Sequence, residues 1–342
     1  MKDSISILSV LIALAIVPST GCAAVSKPNP SPVSKNKPKP GTVLWEFTAE
    51  EGEPFHNSVV ISKSGDIFAA SATYWYALDS RTGKAKRKLN MGRHIMAMSV
   101  TADSCLLSGR GGDSRAINSD TGKQVWQSSK DLHSAYGAAA LNDGIISYFG
   151  DTVTRKVVAL NYKTGKVVWN FLTKNGVSSG CSVGNDGTVY VGGHDGVFYA
   201  FEGKTGSLRW KYDSTDVHSY EAIHRGHSDM SAHQASIGKN GIIYTSARRR
   251  EGGGLLLALN GATGEKIWHA PIDHYTNTPI IDEAGDIVMG DRQGHINVFN
   301  GQNGKLKWKS KKPVRGSINT SVVIGEDGMI YFGSDDRYIR NG

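Results

Sequence analysis

The sequence is poor in cysteine, and this scarcity excludes several kinds of site. Its 342 residues include three cysteines, Cys22, Cys105 and Cys181, and no CxxC pair. Without paired cysteines there is no signature of a zinc finger, a c-type haem or a redox dithiol. Cys105 and Cys181 lie far apart in the chain, so we predict two small buried residues and not a disulfide.

Long apolar runs and strong charge are also missing. The most apolar stretch, from Ile5 to Val17, is shorter than the roughly 20 residues that a helix needs to span a bilayer. The net charge is +8, and residues 1–40 contribute +4 of it through five lysines and one aspartate. The remaining excess is mild for so long a chain, which argues against nucleic acid as a partner.

The N-terminal segment has the pattern of an export signal. Lys2 precedes the apolar run, and the small residues Ser19-Thr20-Gly21 precede Cys22. This pattern predicts a signal peptide over residues 1–21. It resembles a bacterial lipobox, which implies lipidation of Cys22, although Ser19 stands where leucine is more common. Ordinary cleavage near Ala23, giving a secreted product, is the alternative.

Residues 22–40 are predicted to be a tether, because proline and lysine dominate them and almost nothing in them can be buried. Such a tether would hold the following domain away from its membrane anchor. Ala23 after the cysteine favours the outer membrane in a bacterium with two membranes. The expected location is therefore extracytoplasmic and membrane-anchored.

The feature that dominates the rest of the chain is an internal repeat. Its clearest copy runs from Ala159 to Trp169 and reads Ala-Leu-Asn-Tyr-Lys-Thr-Gly-Lys-Val-Val-Trp. The tryptophan of this repeat recurs at Trp45, Trp126, Trp169, Trp210, Trp268 and Trp308, and Arg87 occupies the same place in a degenerate copy. A period near 40 residues indicates a radial or solenoid array.

Each repeat predicts four short strands. The Asn-x-x-Thr-Gly segment has the composition of a tight turn, and its β-branched and aromatic flanks are typical of strands. A second turn upstream, such as Asn185-Asp186-Gly187, adds another hairpin. Four strands per period are one blade of a β-propeller, so the fold class is all-β.

Seven tryptophan places and seven upstream turns predict seven blades within residues 41–342. We expect Gly41–Trp45 to be the outer strand of a blade whose other strands, including Tyr338–Gly342, come from the C-terminus. Shared strands would close the ring without an open edge. The alternative is an eight-bladed propeller that is truncated.

The Ala-x-Asn/Asp-x-x-Thr-Gly-x-x-x-Trp pattern resembles the repeat of the PQQ-like β-propellers, which include quinoprotein dehydrogenases and BamB-like assembly lipoproteins. The resemblance implies that each tryptophan docks on the Thr-Gly turn of the next blade: Trp45, Trp126, Trp169, Trp210, Trp268 and Trp308. Tyr74-Trp75-Tyr76 is predicted to pack between blades where Arg87 replaces the tryptophan, or else to form a stacking platform.

One repeat is longer than the others. Trp210 and Trp268 are 58 residues apart, whereas Trp169 and Trp210 are 41 apart. The surplus is assigned to 212–232 and is rich in histidine. The candidate metal ligands, for example for Zn²⁺, are His218, His224, His227 and His233. The candidate partner-binding residues are Tyr220, Glu221, Arg225 and Asp229. A polar surface loop without metal is the simpler interpretation, and a long insertion on one face of a ring is a common place for binding.

The resemblance and the anchor together favour a non-enzymatic scaffold that binds envelope proteins, as BamB-like proteins do in outer-membrane assembly. We expect no cofactor and a monomer within a larger complex. One alternative is a quinoprotein oxidoreductase with PQQ and Ca²⁺, although the adjacent cysteine pair of those enzymes is missing. The other is a metal-dependent or carbohydrate-active enzyme that uses the histidine-rich insertion.

Overall fold

The structure is a computed structural model, and it describes most of the repeat region and one short N-terminal segment. The described residues are 9–15, 43–49, 59–62, 65–71, 73–92, 95–100, 104–109, 114–118, 121–127, 134–140, 146–151, 154–174, 176–177, 180–193, 196–214, 235–248, 254–272, 278–311, 313–314, 316–318, 322–325 and 329–335. In this part of the chain, no helix has the length and hydropathy needed to cross a membrane.

Within these ranges the chain forms 28 β-strands, which make seven four-stranded antiparallel sheets. Sheet I contains β3 (Val60–Ile61), β4 (Ile67–Ala70), β5 (Tyr74–Leu78) and β6 (Ala85–Asn90). Sheet II contains β7 (Ile95–Val100), β8 (Ser104–Gly109), β9 (Ser114–Asn118) and β10 (Gln124–Gln127). Sheet III contains β11 (Ser134–Ala140), β12 (Ile146–Asp151), β13 (Lys156–Asn161) and β14 (Val167–Leu172).

The next three sheets follow the same plan. Sheet IV contains β15 (Ser182–Val183), β16 (Thr188–Gly192), β17 (Val197–Glu202) and β18 (Leu208–Asp213). Sheet V contains β19 (Ser236–Ile237), β20 (Ile242–Arg248), β21 (Gly254–Asn260) and β22 (Lys266–Ile272). Sheet VI contains β23 (Ile280–Ile281), β24 (Ile287–Gly290), β25 (Ile296–Phe299) and β26 (Leu306–Lys309). Sheets I to VI each consist of four consecutive strands, which confirms the prediction of four-stranded, all-β repeats.

The seventh sheet, here called the closing sheet, combines strands from distant parts of the chain. Its order is β2 (Val43–Thr48), β1 (Ser9–Ala15), β28 (Met329–Asp335) and β27 (Val323–Ile324). It packs on sheet I through Trp45 and Tyr331. It packs on sheet VI through Ile330 and Phe332. The closing sheet therefore joins the first and last sheets of the repeat.

One strand of the closing sheet differs from the expectation. The outer strand β2 is where the sequence predicted it, and the third position, for which Tyr338–Gly342 was expected, is occupied by Ser9–Ala15. Backbone groups on a sheet edge pair with any extended segment, and the aliphatic run of β1 suits that place. Residues 338–342 lie outside the described part of the chain. The signal peptide over residues 1–21, which includes β1, stays a prediction.

The turn chemistry predicted for the repeat is present in detail. In sheet III the Asn161 side chain accepts hydrogen bonds from the backbone N–H groups of Lys163 (3.0 Å) and Thr164 (3.1 Å). Gly165 follows with φ of +70°, a conformation that costs an L-residue about 1–2 kcal/mol. The turn is therefore held by an Asx hydrogen bond and a left-handed glycine.

The hydrophobic core lies between neighbouring sheets. The second and third strands are almost fully buried, as in β16 and β17, whereas the outermost strands are largely exposed. Clusters of apolar side chains link each sheet to the next; one joins Tyr148 and Val157 of sheet III to Val191 and Phe201 of sheet IV. One face of a sheet thus packs against the preceding sheet, and its other face packs against the following sheet.

Candidate functional site

The joint between sheets III and IV shows how neighbouring sheets are held together. Trp169, in β14, donates a hydrogen bond from Nε1 to the carbonyl of Gly203 at 2.6 Å. The hydroxyl of Tyr148, in β12, donates to the same carbonyl at 2.9 Å. Gly206 lies under the indole, and a Cβ there would come within 2.7 Å of Trp169 Cδ2. Two donors and one closely packed ring therefore converge on one turn of the next sheet.

Four other tryptophans make the same contact. Their Nε1 groups donate to a turn carbonyl of the following sheet: Trp45 to Ser80 (2.9 Å), Trp126 to Tyr162, Trp210 to Gly261 (2.9 Å) and Trp268 to Gly301 (3.1 Å). Trp308 is 38% exposed, and the turn expected to receive it lies outside the described residues. Five of the six predicted positions thus correspond to inter-sheet joints, and docking by Trp308 stays a prediction.

Sequence reasoning missed the tyrosine half of this joint. Like Tyr148, Tyr190 donates to Gly261 at 3.1 Å, and Tyr244 donates to Gly301 at 3.0 Å. In sheets III, IV and V, which carry these three tyrosines, the receiving turn of the next sheet has glycine after its Asn or Glu: Gly203, Gly261 and Gly301. A Cβ at Gly203 would come within 2.4 Å of the Gly187 carbonyl and 2.7 Å of the Tyr148 hydroxyl. The co-occurrence of tyrosine and glycine in successive repeats was the available signal.

In sheet I, where Arg87 replaces the tryptophan, a different side chain contacts the turn of the next sheet. Arg87 pairs with Ala77 as the tryptophans pair with their alanines. However, it is Leu89 that lies against the turn of sheet II, where a Cβ at Gly122 would come within 2.7 Å of Leu89 Cδ1. Trp75 is fully buried beside Leu89, in a cluster that includes Met98 of sheet II. Trp75 therefore packs between sheets, and a stacking platform open to solvent is excluded.

Two faces of the ring can be distinguished by their turns. On one, here called the turn face, the first and third turns of each sheet meet; in sheet IV the N–H of Gly203 donates to Gly187 O at 3.1 Å. On the other face, here called the connection face, the turn between the second and third strands lies beside the segment that leads to the next sheet. There Ser214 donates to Gly196 O from its N–H (3.0 Å) and its hydroxyl (2.6 Å).

The turn face holds a cleft of about 380 Å³ between sheets V and VI. Its lining combines polar side chains, among them Lys239, Asn240, Asp282 and Glu283, with the apolar side chains of Ile237 and Ile281. Burial raises the pKa of Asp282, and the nearby Asp286 carboxylate raises it further. A hydrogen bond from the Asp286 N–H lowers this pKa, but the effect of burial is larger. The cleft therefore presents Asp282 among both polar and apolar side chains.

The connection face holds both ends of the long insertion. β18 continues through Asp213, so the insertion begins after Ser214 and not at Tyr212. It ends before Ala235, whose carbonyl accepts a hydrogen bond from Ser182 at the inner rim of the ring. The insertion therefore connects the outer strand of sheet IV with the innermost strand of sheet V. The candidate residues His218, Tyr220, Glu221, His224, Arg225, His227, Asp229 and His233 lie outside the described residues.

An aspartate network reinforces the connection face of sheet VI. Asp291 is buried and accepts hydrogen bonds from the His295 N–H (2.8 Å) and the Asn297 amide (3.1 Å). Lys309 lies 3.2 Å from its carboxylate. Burial alone would raise the pKa of Asp291, but these three donors outweigh it and lower the pKa. The carboxylate is therefore a structural anion that holds the central hairpin.

The outer rim offers apolar contacts in four sheets. At the residue before the docking tryptophan, sheets II, III and V and the closing sheet carry exposed aliphatic side chains: Val125, Val168, Ile267 and Leu44. In sheets IV and VI the same position carries a base paired with an aspartate, Arg209 with Asp186 (2.8 Å) and Lys307 with Asp286 (2.5 Å). Strand β14 exposes three aliphatic residues, Val167, Val168 and Leu172. Its free edge combines backbone groups with apolar surface, as protein-binding edges do.

The described residues contain no group of three or more His, Cys, Asp and Glu side chains placed to hold a metal ion. Cys181 is fully buried in the apolar cluster between sheets III and IV, and burial raises the pKa of its thiol. A buried protonated thiol is a packing residue and not a nucleophile. Cys105 lies on β8 of sheet II, and Cys22 lies outside the described residues.

Comparison with known proteins decides the family. A family model described as outer membrane protein assembly factor BamB matches residues 31–170 and 110–340. The chain belongs to this family. Its similarity to solved structures includes BamB from Moraxella catarrhalis, with a TM-score of 0.61 and 17% identity over 86% of this chain and 89% of that one. At this identity the likeness establishes the propeller fold alone.

Curated relatives agree with the family match. The outer membrane protein assembly factors BamB of Burkholderia pseudomallei and Yersinia pestis are each 25% identical, over 69% and 66% of this chain. The chain spans 61% and 58% of those relatives. A quinohemoprotein alcohol dehydrogenase of Comamonas testosteroni is 27% identical over 45% of this chain, which corresponds to 23% of the enzyme.

Proposed function

We propose that this chain is a lipid-anchored, extracytoplasmic β-propeller that binds other envelope proteins as a scaffold in outer-membrane protein assembly. The observation that carries the proposal is the family match over nearly the whole repeat region, together with relatives named as outer membrane protein assembly factors. The export pattern before Cys22 is consistent with that location.

Two surfaces of the ring are suited to such binding. The first is the rim at β14, where Leu172 is 59% exposed beside Val167 and Val168. Exposed apolar side chains on a strand edge favour an extended segment of a partner, because its backbone pairs with the edge while its side chains cover the aliphatic ones. The second is the insertion between Ser214 and Ala235, a long segment on one face of a repeat ring.

The role in assembly is tested by complementation. In a strain lacking this chain, we expect reduced amounts of folded β-barrel proteins in the outer membrane and restoration by the intact chain. Replacing residues 215–234 with a short Gly-Ser linker between Ser214 and Ala235 should abolish restoration. The matched control replaces 249–253, another inter-strand segment of the repeat, and should restore the barrels. Unchanged barrels in the deletion strain would contradict the assembly role.

The rim is tested by photo-crosslinking. A photoreactive residue at Leu172 should crosslink to an envelope protein, whereas one at Leu306, which is 54% exposed on sheet VI, should not. Equal crosslinking at both sites would show that exposure alone explains the contact.

The anchor is tested by lipid labelling. We expect the intact chain to incorporate radiolabelled palmitate and to fractionate with the outer membrane, and Cys22→Ala to lose both properties. An unlabelled, soluble intact chain would favour the secreted alternative.

The similarity to a quinohemoprotein alcohol dehydrogenase supports a second, weaker candidate, an oxidoreductase that binds PQQ with Ca²⁺. We expect no dye reduction when the intact chain is given PQQ, Ca²⁺ and primary alcohols. Turnover that requires all three would replace the scaffold proposal with the enzymatic one.

A further inference from the structure

Basic residues are concentrated in the outer strands of two sheets. The ten residues after the turn glycine of each repeat include the outer strand, and in sheet I (84–93) and sheet VI (305–314) they each hold five bases and no acid. The corresponding net charges are +1, +2, 0 and −1 in sheets II to V, and −3 after Gly41 in the closing sheet. Sheets I and VI and the closing sheet therefore carry +7 together, and the other four sheets carry +2.

The two basic outer strands, β6 and β26, flank the strand by which the chain enters the ring. Trp45 of β2 donates to Ser80 O of sheet I at 2.9 Å, and Phe332 of the closing sheet packs with Ile296 of sheet VI. The closing sheet thus lies between sheets I and VI. The chain reaches β2 from Cys22 through residues 23–40, which carry four lysines and no acid. The segment that would join the ring to a lipid anchor therefore enters between the two basic strands.

Some of these bases are paired, and others are free to meet an external anion. Three lysines lie close to aspartates: Lys86 to Asp66 (2.5 Å), Lys307 to Asp286 (2.5 Å) and Lys309 to Asp291 (3.2 Å). Four other bases are exposed and make no ion pair with any described residue: Arg81, Lys84, Lys305 and Lys311. Paired charges largely cancel at a distance, so the attraction of an anion depends on these four.

Aliphatic side chains lie on the same rim. Leu44 of β2 is 44% exposed, and Leu306 of β26 is 54% exposed. Lysines beside aliphatic side chains suit the interface of an anionic bilayer, where apolar groups enter the headgroup layer and bases meet phosphate. An acidic protein would also attract the bases, but the entry of the anchoring segment at this rim favours the membrane, because a short linker raises the local concentration of what it joins.

We propose that this rim, here called the basic arc and formed by β6, β2 and β26 with the turns before them, rests on an anionic phospholipid surface. Lipid phosphates meet Arg81, Lys84, Lys305 and Lys311, while Leu44 and Leu306 enter the headgroup layer. The ring then stands on its rim, with its turn face and connection face both open to protein partners. This inference rests on the proposed function, because only a membrane-anchored chain keeps this rim at a bilayer.

Vesicle sedimentation of the full chain carrying Cys22→Ala, made without export, tests the contact in the absence of the lipid. It should bind vesicles of phosphatidylcholine with phosphatidylglycerol, and bind more weakly at high salt or to phosphatidylcholine alone. Arg81→Gln, Lys84→Gln, Lys305→Gln and Lys311→Gln together should weaken binding about tenfold or more, since each base near an anionic surface contributes about fivefold. The matched control changes four exposed bases of sheets III and IV to glutamine and should bind as the parent chain does: Lys166, Lys174, Lys204 and Lys211.

Photo-crosslinking in membranes gives a second measurement on the lipidated chain. A photoreactive residue at Leu306 should crosslink to phospholipid. One at Leu208, which has the same place in the repeat of sheet IV and is 42% exposed, should not.

Three results would overturn the proposal. Equal weakening by the variant of the basic arc and by its control would show that net charge alone drives binding. Binding that does not depend on phosphatidylglycerol would exclude an anionic lipid, and a protein crosslinked at Leu306 in place of phospholipid would assign the arc to an acidic partner. Residues 1–21 are common to all the sedimented chains, and the assay needs neither lipidation nor barrel assembly. It can therefore fail while the complementation and palmitate tests succeed, and the reverse.

Discussion

The joint between sheets III and IV allows a controlled test of what the docking tryptophan contributes to stability. Gly206 and Gly187 have nearly the same backbone conformation, with φ of +75° and +79°. A Cβ at Gly206 would come within 2.7 Å of Trp169 Cδ2, whereas a Cβ at Gly187 would meet nothing within 4 Å. Gly206→Ala and Gly187→Ala therefore share the backbone strain and differ in the docking contact.

The expected difference follows from the geometry of the joint. Alanine in a left-handed conformation costs about 1–2 kcal/mol in either variant. In Gly206→Ala the indole must also move away from the turn. Exposing about 100 Å² of the aromatic surface costs about 2.5 kcal/mol, and weakening the Nε1 hydrogen bond to Gly203 costs about 1 kcal/mol. The additional loss for Gly206→Ala is roughly 2–4 kcal/mol.

The assay is thermal and urea unfolding of the two variants and the unmodified chain, followed by circular dichroism. We expect both variants to melt below the unmodified chain, and Gly206→Ala to melt a further 4–8 °C or so lower, at about 2 °C per kcal/mol for a domain of this size. Equal melting of the two variants would refute the reasoning, because backbone strain would then explain the whole effect.

Three further predictions concern the tyrosine, the buried aspartate and the histidines. Tyr148→Phe should lower the free energy of unfolding by only about 1 kcal/mol in urea titration, because the Gly203 carbonyl keeps its bond from Trp169; a loss as large as that of Trp169→Phe would contradict this. The folded-state pKa of Asp291 is lowered, so its stabilisation is complete above the unfolded value near 3.9 and is lost as the pH falls through the folded value. Asp291→Asn should therefore unfold at lower urea at pH 7 and lose less stability between pH 5 and pH 2.5 than the unmodified chain; parallel pH profiles would show that this carboxylate is not responsible. Metal analysis of the full chain should find no stoichiometric metal, and His224→Ala with His227→Ala should melt unchanged; one metal per chain that disappears in this variant would favour the metal-dependent enzyme.

The features that could be predicted are those set by short-range chemistry. Asn161 and Gly165 form a tight turn because an Asx side chain and a left-handed glycine favour it wherever they occur. A tryptophan recurring at a fixed distance from that turn predicts one docking joint per repeat. The family resemblance rested on these same residues, and the family match supports it.

Other features depended on contacts between residues that are distant in the chain. That Leu89, and not Arg87, lies against Gly122 is decided by which side of β6 faces sheet II. That Tyr148 shares an acceptor with Trp169 requires the position of the next sheet. The start of the insertion after Ser214 follows from the two hydrogen bonds that hold this residue to Gly196.

The closing sheet contains both a strand that the sequence predicted and a strand that only the tertiary structure decided. The sequence by itself determined the repeat, its strands and turns, and the outer strand at Val43–Thr48, because periodicity and turn residues act within each repeat. Only the tertiary structure decided that Ser9–Ala15 pairs with β28. Backbone pairing at a sheet edge selects an extended, aliphatic segment by register and fit, and these depend on neighbours that lie hundreds of residues away.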